Sequence, residues 1–221
     1  MIDLTPIWLT LKVATLATGL AMIWGVASAF VLMRYRLFAS TWLDAALTLP
    51  LVMPPTVLGY YLIVLLGRNG WLGRLLKEYF GINLMFTWQG AVVAAAVVCM
   101  PLVYKTARAA FESVDKNLEH AARTLGATEW TLFWRIFFPL AWRGILAGTM
   151  LAFARSMGEF GATLMVAGNL PGRTQTLSTA IYSALQAGQD RYANMLVIIA
   201  SVLGLLILYG SGRLLKTRAG I

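Results

Sequence analysis

Apolar residues run along this chain in long blocks instead of alternating with polar ones. A helix crossing a bilayer needs about 20 mostly apolar residues. Five stretches meet that length: 9–33, 45–66, 89–108, 140–167 and 193–212. The pattern predicts an all-α polytopic transmembrane helix bundle of about five spans, one transmembrane domain over 1–221. The fourth stretch is longer than a crossing requires, which predicts a break near Gly158 or Gly161. Between the blocks, 34–44 reads as a short loop, and 67–88 as turn-rich, with Gly67, Gly70, Gly73 and Gly81. The segment 168–192 opens with GNLPGRT and runs into LSTAIYSALQAG, expected to form a short, partly buried helix; whether 171–188 is re-entrant stays open.

The polar block at 109–139 interrupts this pattern most sharply. Asp115 is placed to cap a helix, and Leu118, Ala121, Ala122 and Leu125 then recur at i, i+3, i+4, i+7. Gly126 stands where a left-handed C-cap would end that helix. Thr128 is placed to cap a second, carrying Trp130, Phe133, Trp134 and Phe137 at the same spacing until Pro139. Two short amphipathic helices joined by a glycine are therefore expected. Periodicity alone suits helices resting on lipid headgroups as well as a handle for another protein.

Composition sets the class. Mean hydropathy of +0.73 with 12% charged residues excludes an ordinary soluble domain. The lone Cys99 lies in an apolar run, without an intrachain disulfide partner and without metal ligands at zinc-like spacing. The net charge of +9 reads as Lys and Arg of cytoplasmic loops, with no nucleic-acid partner implied. Eleven Lys and Arg fall on one alternating set of loops, Arg34, Arg36, Arg123, Arg213, Lys216 and Arg218 among them, against five on the other. The positive-inside rule then puts the 109–139 loop and the C-terminus in the cytoplasm and the N-terminus outside. The first apolar block is span-length with no small-residue cleavage site after it, so a cleavable signal peptide is not expected.

Within the spans, Arg155 and Glu159 stand one helical turn apart, with Ser156 beside them, and read as the sole charged pair at membrane depth. Such charges mark either a buried pair locking two spans together or a pathway, here one that attracts an anion. Pro50, Pro54 and Pro55 interrupt the second span, giving either a packing kink or a bend that shapes a gate, with Gly59 nearby for close helix approach. Gly144 and Gly148 form a GxxxG that permits close contact, within the chain or across a dimer. Trp8, Trp71, Trp88 and Tyr192 fall near span boundaries as interfacial anchors. No catalytic site is expected: the single histidine, His120, is in the loop, and no His, Asp or Glu cluster occurs in the spans. A secondary transporter would show inverted repeats or charges on several spans, and neither is evident.

The run AARTLGATEWTLFWRIFFPLA resembles the cytoplasmic loop signature of binding-protein-dependent ABC importer permeases. That signature reads Glu-Ala-Ala, three residues, Gly, nine residues, Ile, one residue, Leu-Pro. Ala121, Ala122, Gly126, Ile136 and Pro139 match; His120 replaces the Glu, and Phe138 the Leu. Glu119 is one residue early and points about 100° away on a helix. The stretches LPLVMPPTVLGYYLIVLLGRNGWLG and FARSMGEFGATLMVAGNLPGRTQTLSTAIY are similar to molybdate importer permeases, with sulfate and tungstate permeases sharing much of the pattern. The resemblance implies a homodimer of this permease, two copies of an ABC ATPase and a periplasmic or extracellular molybdate-binding protein. It also implies residence in the bacterial inner membrane. Glu119, His120, Ala121, Ala122, Gly126, Ala127, Ile136 and Pro139 would couple to the ATPase. The chain has no G-x-x-x-x-G-K-[ST] phosphate loop, so ATP and Mg would be bound by that partner and no cofactor by this chain. Pro54, Pro55, Gly59, Arg155, Ser156 and Glu159 are the candidates for the translocation pathway or its gate.

Overall fold

The computed structural model describes residues 4–34 and 40–216; Arg36 and Arg218 lie outside the described residues, as does the side chain of Lys216. In chain order, α1 (Thr5–Arg34) is followed by α2 (Ser40–Val52), α3 (Pro55–Leu66) and α4 (Trp71–Phe80). Then come α5 (Trp88–Glu112), α6 (Lys116–Thr124) and α7 (Glu129–Leu132), which passes through a π-helical turn, Phe133–Phe137, into α8 (Phe138–Met157). The chain continues as α9 (Gly161–Ala167), α10 (Leu177–Gln186) and α11 (Asp190–Lys216). Four helices are long and apolar enough to cross a membrane, α1, α5, the run Glu129–Met157 and α11, and α2 with α3 makes a fifth if the pair is one span. The architecture is the expected all-α polytopic bundle.

Its axis is α5. Small residues on several of its faces (Ala91, Ala94, Ala95, Cys99, Ala107) are fully buried and let neighbours close in. Along one side lies α1, parallel to α5, with Val13 and Ala17 packed near Ala91 and Ala95 and Ala29 near Val103 and Ala107. The opposite direction is taken by α8. A Cβ on Gly144 would stand 2.5 Å from the Ala110 Cβ, and one on Gly148 would fall on the Thr106 hydroxyl. The GxxxG thus packs α8 onto α5 within the chain.

Some expectations hold and others need correction. The second span is interrupted at its prolines as expected, α2 and α3 meeting at 117°. Pro50 sits inside α2 without ending it; the break falls at Met53–Pro54, because consecutive prolines remove two donors and Pro54 disfavours helix at the residue before it. The turn-rich 67–88 contains a helix, α4, whose ends are the glycines: Gly70 precedes it and Gly81 closes it in the left-handed region at φ 66°. Pro139 does not punctuate. The hydrogen bonding of the π-helical turn, in which the Phe138 N–H donates to the Phe133 carbonyl, carries the helix past the missing proline donor. The second loop helix is therefore continuous with the fourth span, and α5 runs on to Glu112, so the 109–139 loop shrinks to α6 and its flanking turns. The fourth span does break where expected, between Met157 and Gly161, and 177–186 is the short, partly buried helix. It is tied to α1 by the Leu177 N–H donating to the Thr10 hydroxyl at 2.7 Å.

Candidate functional site

Two regions gather the residues singled out from the sequence. The first is the knuckle formed by α6 and α7. The Asp115 carboxylate accepts from the Asn117 N–H at 2.8 Å, and the Thr128 hydroxyl from the Thr131 N–H at 3.3 Å, so both expected caps are made. Gly126, at φ 79°, closes α6 with a paired C-cap: its N–H reaches the Arg123 carbonyl at 2.9 Å, and the Ala127 N–H reaches Ala122 at 3.0 Å.

The expected coupling residues divide by direction. Ala122, Ala127 and Ile136 turn inward against the cluster of Phe111, Leu132 and Phe137, and so hold the knuckle together. His120, Ala121 and Gly126 are exposed, and Pro139 is exposed at the start of α8. Glu119 is half-buried and points away from His120. Its carboxylate meets Arg34 at 2.6 Å and Arg123 at 3.0 Å, while Glu129 meets Arg34 at 2.8 Å and Arg123 at 2.8 Å. Glu129 first, and Glu119 after it, hold the Arg123 guanidinium above its ordinary range. What α6 shows outward is mixed: Lys116, Asn117, His120 and Thr124 are exposed beside Leu118 and Ala121. No residue of α6 is buried; Leu125 is 88% exposed and Leu118 47%, with Trp130 at 72% beside them. Ala122 packs inward while Leu118 and Leu125 stay exposed, which leaves apolar side chains on the outer surface of the knuckle.

The second region joins the two helix breaks. Pro55 opens α3 against Gly161, where a Cβ would come within 2.8 Å of the proline ring, and Gly59 lies against α9, a Cβ there standing 2.6 Å from Met165. The α2–α3 and α8–α9 breaks therefore sit side by side, pressed together at glycines. Glu159 is 3% exposed: one oxygen accepts from the Ala162 N–H at 3.0 Å, capping α9, and the other meets Arg155 at 2.9 Å. Ser156 is buried beside it, its hydroxyl without a hydrogen-bond partner among the described residues, as is that of Thr163 in α9. Arg155, Ser156 and Glu159 are thus one cluster, next to the break that Pro54, Pro55 and Gly59 define.

A family model described as "Binding-protein-dependent transport system inner membrane component" matches residues 18–220. This chain belongs to that family. It is similar to the molybdenum transport system permease protein ModB of Escherichia coli K12, 45% identical over the whole of both chains. It is also similar to the putative molybdenum transport system permease protein YvgM of Bacillus subtilis, 42% identical over 93% of this chain and 90% of that one. Among solved structures, the inward-facing MetNI methionine ABC transporter shares the fold, with TM-score 0.74 at 16% identity over 98% of this chain and 95% of that one. The chain is a multi-pass membrane protein with a transport role, a subunit of an ABC importer.

Sequence reading missed two charged groups. Asp44 of α2 accepts from the Tyr104 hydroxyl at 2.6 Å and pairs with Lys105 at 2.8 Å and Arg108 at 2.7 Å, stitching the broken second span to α5. The sequence marks Arg34 only as loop charge, whereas it ends α1 and grips the knuckle; its partner Glu119 is 85 positions away, and no local pattern signals it.

Proposed function

We propose that this chain is the transmembrane subunit of an ATP-driven importer that carries molybdate into the cytoplasm. It works as a homodimer with two ATPase subunits and an external molybdate-binding protein. The observation that supports the reading is the exposed face around Leu118 of α6 and Leu125 at its end, in a chain similar over its full length to a molybdenum permease. That face, with His120, Ala121 and Gly126, docks into a groove of the ATPase at the cytoplasmic end; the N-terminus lies outside and the C-terminus inside, in the bacterial inner membrane. ATP and Mg are held by the partner, and this chain performs no chemistry of its own.

The adjoining breaks form the gate. Proline and glycine let α2–α3 and α8–α9 change angle without dismantling a continuous hydrogen-bond ladder. Arg155, held on one side by Glu159, offers a cation to a passing oxyanion, and Glu159 keeps the attraction shallow enough for release. Purified complex in liposomes tests the whole: labelled molybdate accumulates only with binding protein and Mg-ATP, and excess tungstate or sulfate measures selectivity. Accumulation without ATP, or without the ATPase subunit, refutes the reading.

A further inference from the structure

The way α1 meets the knuckle bears on how motion enters the membrane. Phe30 and Arg34 are four residues apart and so share one face of α1. Phe30 sits at the centre of an aromatic cluster, its ring 4.9 Å from Phe133, 5.6 Å from Phe137 and 5.8 Å from Phe111, all edge-on. One turn further on, the Arg34 guanidinium spans both carboxylates, Glu119 of α6 and Glu129 of α7. The covalent route from α7 to α8 runs instead through a π-helical turn ahead of Pro139, where the regular ladder is interrupted. The end of α1 therefore gives the knuckle a second, non-covalent contact with the spans beside the continuous helix into α8.

We infer that Arg34 is a positioning residue that makes the end of α1 part of the coupling knuckle, so that motor movement passes into α1 and from there into α5. This rests on the reading of α6 as the ATPase dock. Arg34 is suited to the role because one planar fork reaches two carboxylates at once, which a lysine ammonium does less well. Its loss leaves the knuckle folded, since Arg123 still pairs with both Glu119 and Glu129.

The test is Arg34→Gln, with Arg34→Lys beside it, in the reconstituted complex with binding protein. Molybdate taken up per ATP hydrolysed is expected to fall at least about fivefold in Arg34→Gln while ATP hydrolysis stays within about twofold, and Arg34→Lys is expected to fall between it and the parent. An unchanged transport-to-hydrolysis ratio in Arg34→Gln overturns the inference, and so does a parallel loss of both activities, which marks a merely structural residue. Capture of the ATPase by a photo-activatable cross-linker attached to Leu125→Cys, made in both backgrounds, separates the two readings. Capture in both with a lowered ratio supports the strut. No capture in the parent background sinks the docking site itself, and capture lost only in Arg34→Gln sinks the strut, because the residue then serves docking and not transmission.

Discussion

The α5–α8 contact allows the sharpest quantitative prediction. In Gly148→Ala the new methyl would fall on the Thr106 hydroxyl, 2.8 Å from the Thr106 Cβ and 3.3 Å from its Cγ2. That hydroxyl already donates to backbone carbonyls one turn back, 2.9 Å from Leu102 and 3.1 Å from Val103. Rotating Thr106 relieves the oxygen clash and not the one with Cβ, so α8 must move away from α5. Overpacking of this kind costs about 1–3 kcal/mol. Alanine also gains about 1 kcal/mol over glycine as a helix former, which would blur the comparison with the parent. Gly19→Ala is the control, because a Cβ there meets nothing within 4 Å while the propensity gain is the same. At roughly 2–4 °C per kcal/mol for a chain of this size, Gly148→Ala should unfold about 2–12 °C below Gly19→Ala in detergent, followed by tryptophan fluorescence. Thr106→Ala should recover part of that loss, with a coupling above about 0.5 kcal/mol in the double-mutant cycle. Equal midpoints for the two glycine variants, with Thr106→Ala giving no recovery, would refute the packing argument.

Two further outcomes are expected. Glu159→Gln should destabilise the chain by about 1–3 kcal/mol by thermal unfolding, less than a fully buried pair would lose because the Arg155 side chain is 38% exposed; removing both charges as Arg155→Met with Glu159→Met should be milder than Glu159→Gln alone, and the reverse order contradicts a self-neutralising pair. Gly126→Ala forces a side chain into φ 79° at a cost of about 1–2 kcal/mol and should speed hydrogen exchange at the amides of residues 126 and 127, with no change in exchange across α5.

What could be read from the sequence was local or periodic. The capping roles of Asp115, Thr128 and Gly126 follow from bonds that span two to five residues, and each is made in the structure. The break after Met157 was visible because the apolar block exceeded the length of a crossing. The spacing of Leu118, Ala121, Ala122 and Leu125 named an apolar face, yet spacing says nothing of what that face meets: Leu118, Ala121 and Leu125 point outward while Ala122 packs inward. Long-range charge partners were out of reach for the same reason. Asp44 finds Tyr104, Lys105 and Arg108 some 60 positions on, and Arg34 finds Glu119 and Glu129, only after the helices have packed. The sharp angle at Pro54 and the passage of a helix through Pro139 show that proline marks a disturbance without fixing its outcome, which neighbouring hydrogen bonds decide.

The most direct measurement of the central claim is photo-cross-linking from a thiol-attached reagent on a cysteine placed at Leu125, in membranes that also contain the ATPase and the binding protein. The account predicts a cross-link to the ATPase whose yield changes when nucleotide is added, and none from a cysteine at Ala122, which faces the interior. A cysteine at 125 that captures no ATPase, or that is reached only by reagents dissolved in lipid, would contradict it.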